Sequence, residues 1–248
     1  NLYIIMTLIT DYFEITKKHI ADYGADTIVF MQVGAFYEVY GQMNKQKEII
    51  QSRILDFSKV CDLNVVEKKT CINMNDVVMA GFKDHLLDKY VKKMQDVGFT
   101  IAVYSQDEQC AGTSRSLLGV FSPGTYFSLD TESITNNTCC IWIEVKQSML
   151  KHTNKMVYIG VSQIDIFTGQ TSIMEYNEIC INNPTTYDEL ERFISIYNPS
   201  ESIIITNMSE CEIDDIVSYT NIKSKSIHFV CLLDNETNNN VRRALNCE

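Results

Sequence analysis

The sequence predicts an α/β protein of two domains, each built on a mixed sheet. Three observations carry that prediction. Apolar, strand-like runs rich in Ile, Val and Phe alternate with amphipathic helical stretches along the 248 residues. The charge changes midway: residues 1–125 hold 13 Lys+Arg against 15 Asp+Glu, a net of −2, and residues 126–248 hold 8 against 17, a net of −9. A polar stretch separates the two parts. Residues 1–125 are therefore expected to form one domain, 126–138 a linker and 139–248 a second domain.

The totals bound the function. A hydrophobic fraction of 45% suits a globular core that needs no metal or disulfide staple. No apolar run approaches the ~20 residues of a membrane span, and Leu2–Ile9 is too short and lacks the basic flank of a signal peptide. No membrane partner is expected. The nine cysteines are odd in number, irregular in spacing and without a C-x-x-C pair, which points to free thiols in a reducing, intracellular compartment and to no zinc site. The four histidines are scattered and suggest no metal cage. A net charge of −11 excludes a general nucleic-acid coat, and a phosphate-contacting surface is expected only in the first half.

In the first half, Asp11–Gly24 reads as a helix whose polar side carries Lys17, Lys18 and His19. Thr27–Val33 reads as a buried strand and Phe36–Tyr40 as a second, short one. Residues 43–57 read as mainly helical, and 61–75 as strand fragments and loop. Val77–Gly81 is a further strand. Asp84 is placed as N-cap of a helix that runs to Val97, with Lys89, Lys92 and Lys93 on its polar face. A strand at 99–106, a polar loop at 107–115, a strand at 117–121 and the turn Ser122–Pro123–Gly124 complete the domain.

One stretch organises these elements. Phe30–Val33 is strand-like, the chain breaks at Gly34, and Phe36 and Glu38 follow two residues apart. In extended backbone, positions i and i+2 share a face, so a ring and a carboxylate project side by side. A ring can wedge between stacked bases, and a carboxylate beside it can accept a hydrogen from a base edge. A core Phe beside a solvated Glu has the same pattern.

In the second half, a strand at 139–145 carries Trp142, a basic loop follows at 146–155, and strands are expected at 156–164 and 170–176. A helix at 188–197, a strand at 202–206, a short helix at 212–218 and a strand at 227–230 come after. Three successive strands, then alternating helix and strand, imply a layer with a mixed sheet.

The series Phe36–Tyr37–Glu38, Met79–Ala80–Gly81, a helix, Ile101–Ala102–Val103 with Gln106, and Ser122–Pro123–Gly124–Thr125 resembles the N-terminal mismatch-binding domain of the MutS family in order and interval. The resemblance covers nearly all of residues 1–125. It implies that Phe36 stacks on a mispaired or unpaired base from the minor groove and that Glu38 hydrogen-bonds to the same base. A carboxylate brought near phosphates is repelled and partly desolvated, so Glu38 is expected to act either protonated or as acceptor from a base N–H. The family places a His or Arg after the Met-Ala-Gly strand, against the DNA, and His85 holds that position; an exposed residue in a first helical turn is the alternative. Lys83 stands where relatives often have Pro, which leaves the loop conformation open, and Ala35 replaces an Asp or Lys. Lys17, Lys18, Lys83 and His85, with the lysines of the following helix, are the candidate DNA-backbone contacts.

More faintly, residues 139–248 are similar to the family's RNase H-like connector domain, which implies contact with downstream repair proteins and no catalysis. The full-length relatives imply ATP and Mg bound by an ATPase beyond lever and clamp domains, and a homodimer gripping mismatched duplex DNA. No Gly-x-x-x-x-Gly-Lys-Ser/Thr loop occurs in these residues, so the chain is expected to be a non-enzymatic N-terminal fragment with no cofactor of its own. Its wealth of Asn and Ile suggests an organellar or viral branch of the family. Two rivals stand beside this: an RNase H-like nuclease using Asp165 and Glu144, and an interaction module that has lost DNA binding.

Overall fold

A computed structural model describes residues 2–50, 52–72, 74–106, 114–125, 135–147, 155–180 and 184–232. Contacts divide the chain into two units, Asn1–Tyr126 and Phe127–Glu248. Most of the predicted polar loop at 107–115, linker at 126–138, basic loop at 146–155 and C-terminal tail lies outside the described residues.

The first unit runs α1 (Leu2–Tyr23), β1 (Thr27–Val33), β2 (Phe36–Met43), β3 (Ile49–Ile50), α2 (Ile54–Cys61), β4 (Val66–Ile72), β5 (Asn75–Lys83), a 3-10 turn at Asp84–Leu86, α3 (Leu87–Asp96), β6 (Thr100–Gln106) and β7 (Arg115–Phe121). Among the described residues the sheet order is β4-β5-β2-β1-β6-β7, with β3 paired to β2. Only the β1–β6 pairing is parallel, so the sheet is mixed. The near-continuous apolar run of β1 follows from its burial on both faces. One face, with Phe30, Tyr37, Val39 and Phe82, packs on Ile54 and Phe57 of α2 and on Val91 and Met94 of α3. The other face, with Val29, Met31, Tyr40 and Val77, packs on Leu8, Ile9 and Tyr12 of α1. A side chain of this size contributes about 1.5–3 kcal/mol when fully buried, so the two layers hold β1 and β2 firmly between them.

Three local expectations change. α1 begins at Leu2, not Asp11. Residues 43–57 are not one helix: β2 runs on to Met43, Ile49–Ile50 pairs back on it, and only Ile54–Cys61 is helical. The cause lies at Asn44, whose Oδ1 accepts the backbone N–H of Gln46 (3.0 Å) and of Glu48 (2.9 Å) and fixes a turn. Asp84 is not an N-cap. It opens the 3-10 turn, and its Oδ1 accepts the N–H of His85 at 2.7 Å.

The second unit runs β8 (Asn137–Gln147), β9 (Lys155–Asp165), β10 (Thr171–Ile179), a 3-10 turn at Pro184–Tyr187, α4 (Asp188–Tyr197), β11 (Glu201–Thr206), α5 (Glu210–Tyr219) and β12 (Ser226–Cys231). Its sheet order is β10-β9-β8-β11-β12 among the described residues. The first three strands pair antiparallel, and β11 and β12 add in parallel, so this sheet is mixed too. Strict alternation along β8 and β9 sends Cys139, Ile141, Ile143, Val157, Ile159 and Val161 to the face covered by α4 and α5. Ser209 and Glu212 form a capping box that starts α5.

Candidate nucleic-acid interface

The β1–β2 hairpin closes between Val33 and Phe36 through a two-residue turn. Gly34 takes φ +61° there, a conformation that glycine adopts without steric cost. The turn is tied to β6, to β7 and to the 3-10 turn that follows β5. Gly34 donates its N–H to Gln106 Oε1 (3.1 Å), and Gln106 donates its own to Gln32 Oε1 (2.9 Å). Arg115 Nε donates to the Gln32 carbonyl (2.7 Å), and the Ala35 carbonyl accepts from the Asp84 N–H (3.0 Å). The bracing that a side chain at position 35 could supply comes instead from backbone, two glutamines and Arg115.

Residues 36, 38 and 40 share one face of β2. Tyr40 belongs to the core under α1, Glu38 is 9% exposed, and Phe36 is 45% exposed. The strand thus carries its ring out of the core at the turn end. Lys83 faces Phe36 across the β2–β5 pairing. Its φ of −69° and ψ of 143° are values a proline also adopts. His85 is exposed just beyond, 3.6 Å from Asp84.

Glu38 has a defined shell. Its Oε2 accepts from the Tyr40 hydroxyl and from Lys68 Nζ at 2.7 Å. Lys68 Nζ also donates to the Tyr40 oxygen at 3.2 Å and lies 4.7 Å from the centre of that ring. Burial first, and the Glu38 charge second, push the Tyr40 hydroxyl far above its usual range, so it stays a donor. Opposite Glu38 stands Gly81, where a Cβ would meet the Tyr37 carbonyl oxygen at 2.8 Å and Glu38 Cγ at 3.4 Å. Only glycine leaves β5 this close to β2 at the carboxylate. Tyr40 is one period-2 step beyond Glu38 and was readable from that alternation; Lys68 was not, because it arrives from β4.

The other predicted residues are carried by α1 and α3. Lys17 and Lys18 are exposed on α1 and form no ion pair among the described residues. His19 is buried, with Nε2 at 2.9 Å from the Tyr104 hydroxyl, and burial lowers its pKa. It therefore leaves the basic face assigned to it. The α3 lysines sit on the layer that covers the opposite sheet face. Lys92 pairs with Asp96 at 3.7 Å, and Lys89 and Lys93 lie over the Tyr90 ring.

Asp165 and Glu144 do not form a pair. Asp165 is aligned with Asn137 at one end of β8, and Glu144 lies near the other end on the opposite face, bonded to Lys146 at 2.8 Å. Asp165 Oδ1 accepts the N–H groups of Asn136 (3.0 Å) and Phe167 (3.1 Å), and Oδ2 accepts the Thr168 hydroxyl (2.8 Å). These bonds, the Asn136 N–H foremost, hold its carboxyl below the usual aspartate range. No group of three His, Cys, Asp or Glu placed to hold a metal occurs among the described residues. No helix there is long and apolar enough to cross a membrane.

The family model of MutS domain I matches residues 7–130. A mutS homolog of Acanthamoeba polyphaga mimivirus, named as a DNA mismatch repair protein, is 26% identical over 93% of this chain and 21% of its own length. The DNA mismatch repair protein MutS of Thermodesulfovibrio yellowstonii is 29% identical over 78% of this chain and 19% of its own length. The chain spans about a fifth of the length of these curated relatives. A solved Bacteroides thetaiotaomicron structure with an actin-like ATPase fold aligns over 90% of this chain and 73% of that one, at 12% identity and a TM-score of 0.28, too low to bear on the fold.

Proposed function

We propose, from the premise that this chain belongs to the MutS family, that it supplies the mismatch-recognition step of a DNA mismatch repair protein. The observation that carries this is the exposed Phe36 at the end of a braced hairpin, with Glu38 two residues on along the same face. Insertion of the ring costs a few kcal/mol of unstacking per step. A mispaired or unpaired base has already lost part of its pairing and stacking, so its duplex deforms at lower cost. Discrimination comes from that difference. Glu38 then bonds the displaced base, and Lys83 beside the ring, with His85 beyond it, contacts the phosphates that set the register.

In the same proposal the second unit is an RNase H-like connector that meets downstream repair proteins, and its net charge of −9 suits a body that does not track phosphates. The complete protein acts inside a cell or at a viral replication site, as a homodimer using ATP and Mg. No phosphate loop occurs in the 248 residues, so no nucleotide step is placed on them.

The test uses the complete natural protein, however far it extends beyond these residues. Binding to a duplex with one mismatch and to its matched counterpart is measured for wild type and Phe36→Ala. Loss of base–aromatic stacking is expected to lower the mismatch-to-match ratio by about tenfold to a hundredfold, with Glu38→Gln producing a smaller fall. A wild type that binds both duplexes equally, or a Phe36→Ala variant that keeps the full ratio, would refute the wedge.

A further inference from the structure

The Glu38 carboxylate is asymmetrically occupied. Both of its described donors, the Tyr40 hydroxyl and Lys68 Nζ, converge on Oε2. Among the described residues no donor engages Oε1. The ammonium group of Lys68 is itself fixed, by the carboxylate, by the Tyr40 oxygen and by the ring face. Lys68 comes from β4, the edge strand next to β5, and its side chain is only 20% exposed. It is thus a held counter-charge rather than a mobile surface lysine.

We infer that Lys68 is a positioning residue for recognition, which keeps Glu38 an ionised acceptor with Oε1 turned to the ligand, so that the favoured base is one presenting an N–H. This rests on the wedge reading above and narrows it. A protonated Glu38 would donate to a ring nitrogen or carbonyl of the base; an ionised one can only accept. The ion pair selects the second behaviour before DNA arrives, because the carboxylate next to Lys68 gains a charge-assisted bond only in its ionised form. The chemistry selected is the N3–H edge of thymine or the N1–H edge of guanine in a mispaired or unpaired state. A base whose exposed edge carries acceptors alone is disfavoured.

The experiment compares two duplexes in the complete natural protein: one with a single unpaired thymidine, one with N3-methylthymidine at the same place. Wild type is expected to prefer thymidine by about tenfold, as for a hydrogen bond to a charged group. Lys68→Met is expected to lose most of that preference and Lys68→Arg to retain it, each measured at a temperature where its own melting curve shows the variant folded. A Lys68→Met variant with the wild-type preference overturns the role of Lys68 and leaves the wedge standing. So does a Lys68→Arg variant that loses as much as Lys68→Met, since a counter-charge role requires rescue by another cation. A wild type that separates mismatched from matched duplex but not thymidine from its N3-methyl form overturns the ionised-acceptor assignment alone. A wild type that does not separate mismatched from matched duplex overturns the wedge, and this inference with it.

Discussion

Glu38 in the first half of the chain and Asp165 in the second are both buried carboxylates, and the two are satisfied in opposite ways. Asp165 has donors on both oxygens: the N–H of Asn136, just ahead of β8, and the N–H of Phe167 and the hydroxyl of Thr168 from its own turn. Nothing is left for a ligand, and the residue's work is to hold the β9–β10 corner. Glu38 takes only side-chain donors, from β2 and β4, and both reach one oxygen. Beside it stands an exposed ring, and opposite it a glycine that lets the backbone come close. A carboxylate with donors on both oxygens is a structural part; one with its donors on a single oxygen is equipped to take another partner. That difference makes the first unit the place to look for recognition.

The sharpest way to break the comparison is to crowd Glu38 without touching it. Gly81→Ala puts a methyl group 2.8 Å from the Tyr37 carbonyl oxygen, a backbone atom that cannot swing away. Overpacking of this kind costs on the order of 3 kcal/mol at its upper end. The variant is expected to lower the unfolding free energy of the first unit by that amount in denaturant melts. It is also expected to lower the mismatch-to-match binding ratio, since β5 must move off β2 where Glu38 sits. Unchanged discrimination in a destabilised protein would detach Gly81 from the site.

The mirror experiment is Asp165→Ala, which is expected to cost stability and no discrimination. It removes the acceptor for two backbone N–H groups and a hydroxyl, a loss of about 2 kcal/mol. The pH dependence has a fixed sign. Asp165 titrates lower in the folded state than an unperturbed aspartate, whose pKa is about 3.9. Its contribution is therefore complete above that value and disappears as pH falls through it toward the folded value. Acid unfolding curves of wild type and variant should be furthest apart above the unperturbed value and draw together as pH falls below it toward the folded value. A loss of mismatch discrimination in this variant would show that Asp165 does more than hold a turn.

What the sequence made legible follows how local each feature is. Phe36 and Glu38 sharing a face needs only the period-2 rule, and Tyr40 obeys it too. The antiparallel trio β8–β10 was readable from alternation and from the hairpin-like stretch Asp165–Gly169. Lys68 was not readable. Its place beside Glu38 depends on β4 pairing with β5 and on a register shift between Lys68 and Cys71, neither of which leaves a trace in mixed-charge residues. Residues 43–57 misled for a related reason. Their apolar spacing fits a helix, and the side chain of one residue, Asn44, turns the chain back on β2 instead. The α3 lysines show the same limit from the other side: their charge is plain in sequence, and only the two-sided packing of the sheet reveals that they lie away from Phe36.

Lys83 gives the smallest effect and separates the two kinds of contact the first unit is proposed to make. It lies across from Phe36 and has no ion-pair partner among the described residues. A lysine that meets a phosphate contributes through counterion release, which is blind to sequence and to mismatch. Lys83→Gln should therefore weaken binding to matched and mismatched duplexes by the same factor, a few-fold at moderate salt. It should also reduce the slope of log affinity against log salt by about 1. The mismatch-to-match ratio should not move, because neither the ring of Phe36 nor the shell of Glu38 is changed. A ratio that falls together with the slope would place Lys83 within the base-reading apparatus. Unchanged affinity and slope would remove Lys83 from the interface and leave His85, two residues further along and as exposed, as the cation to substitute next.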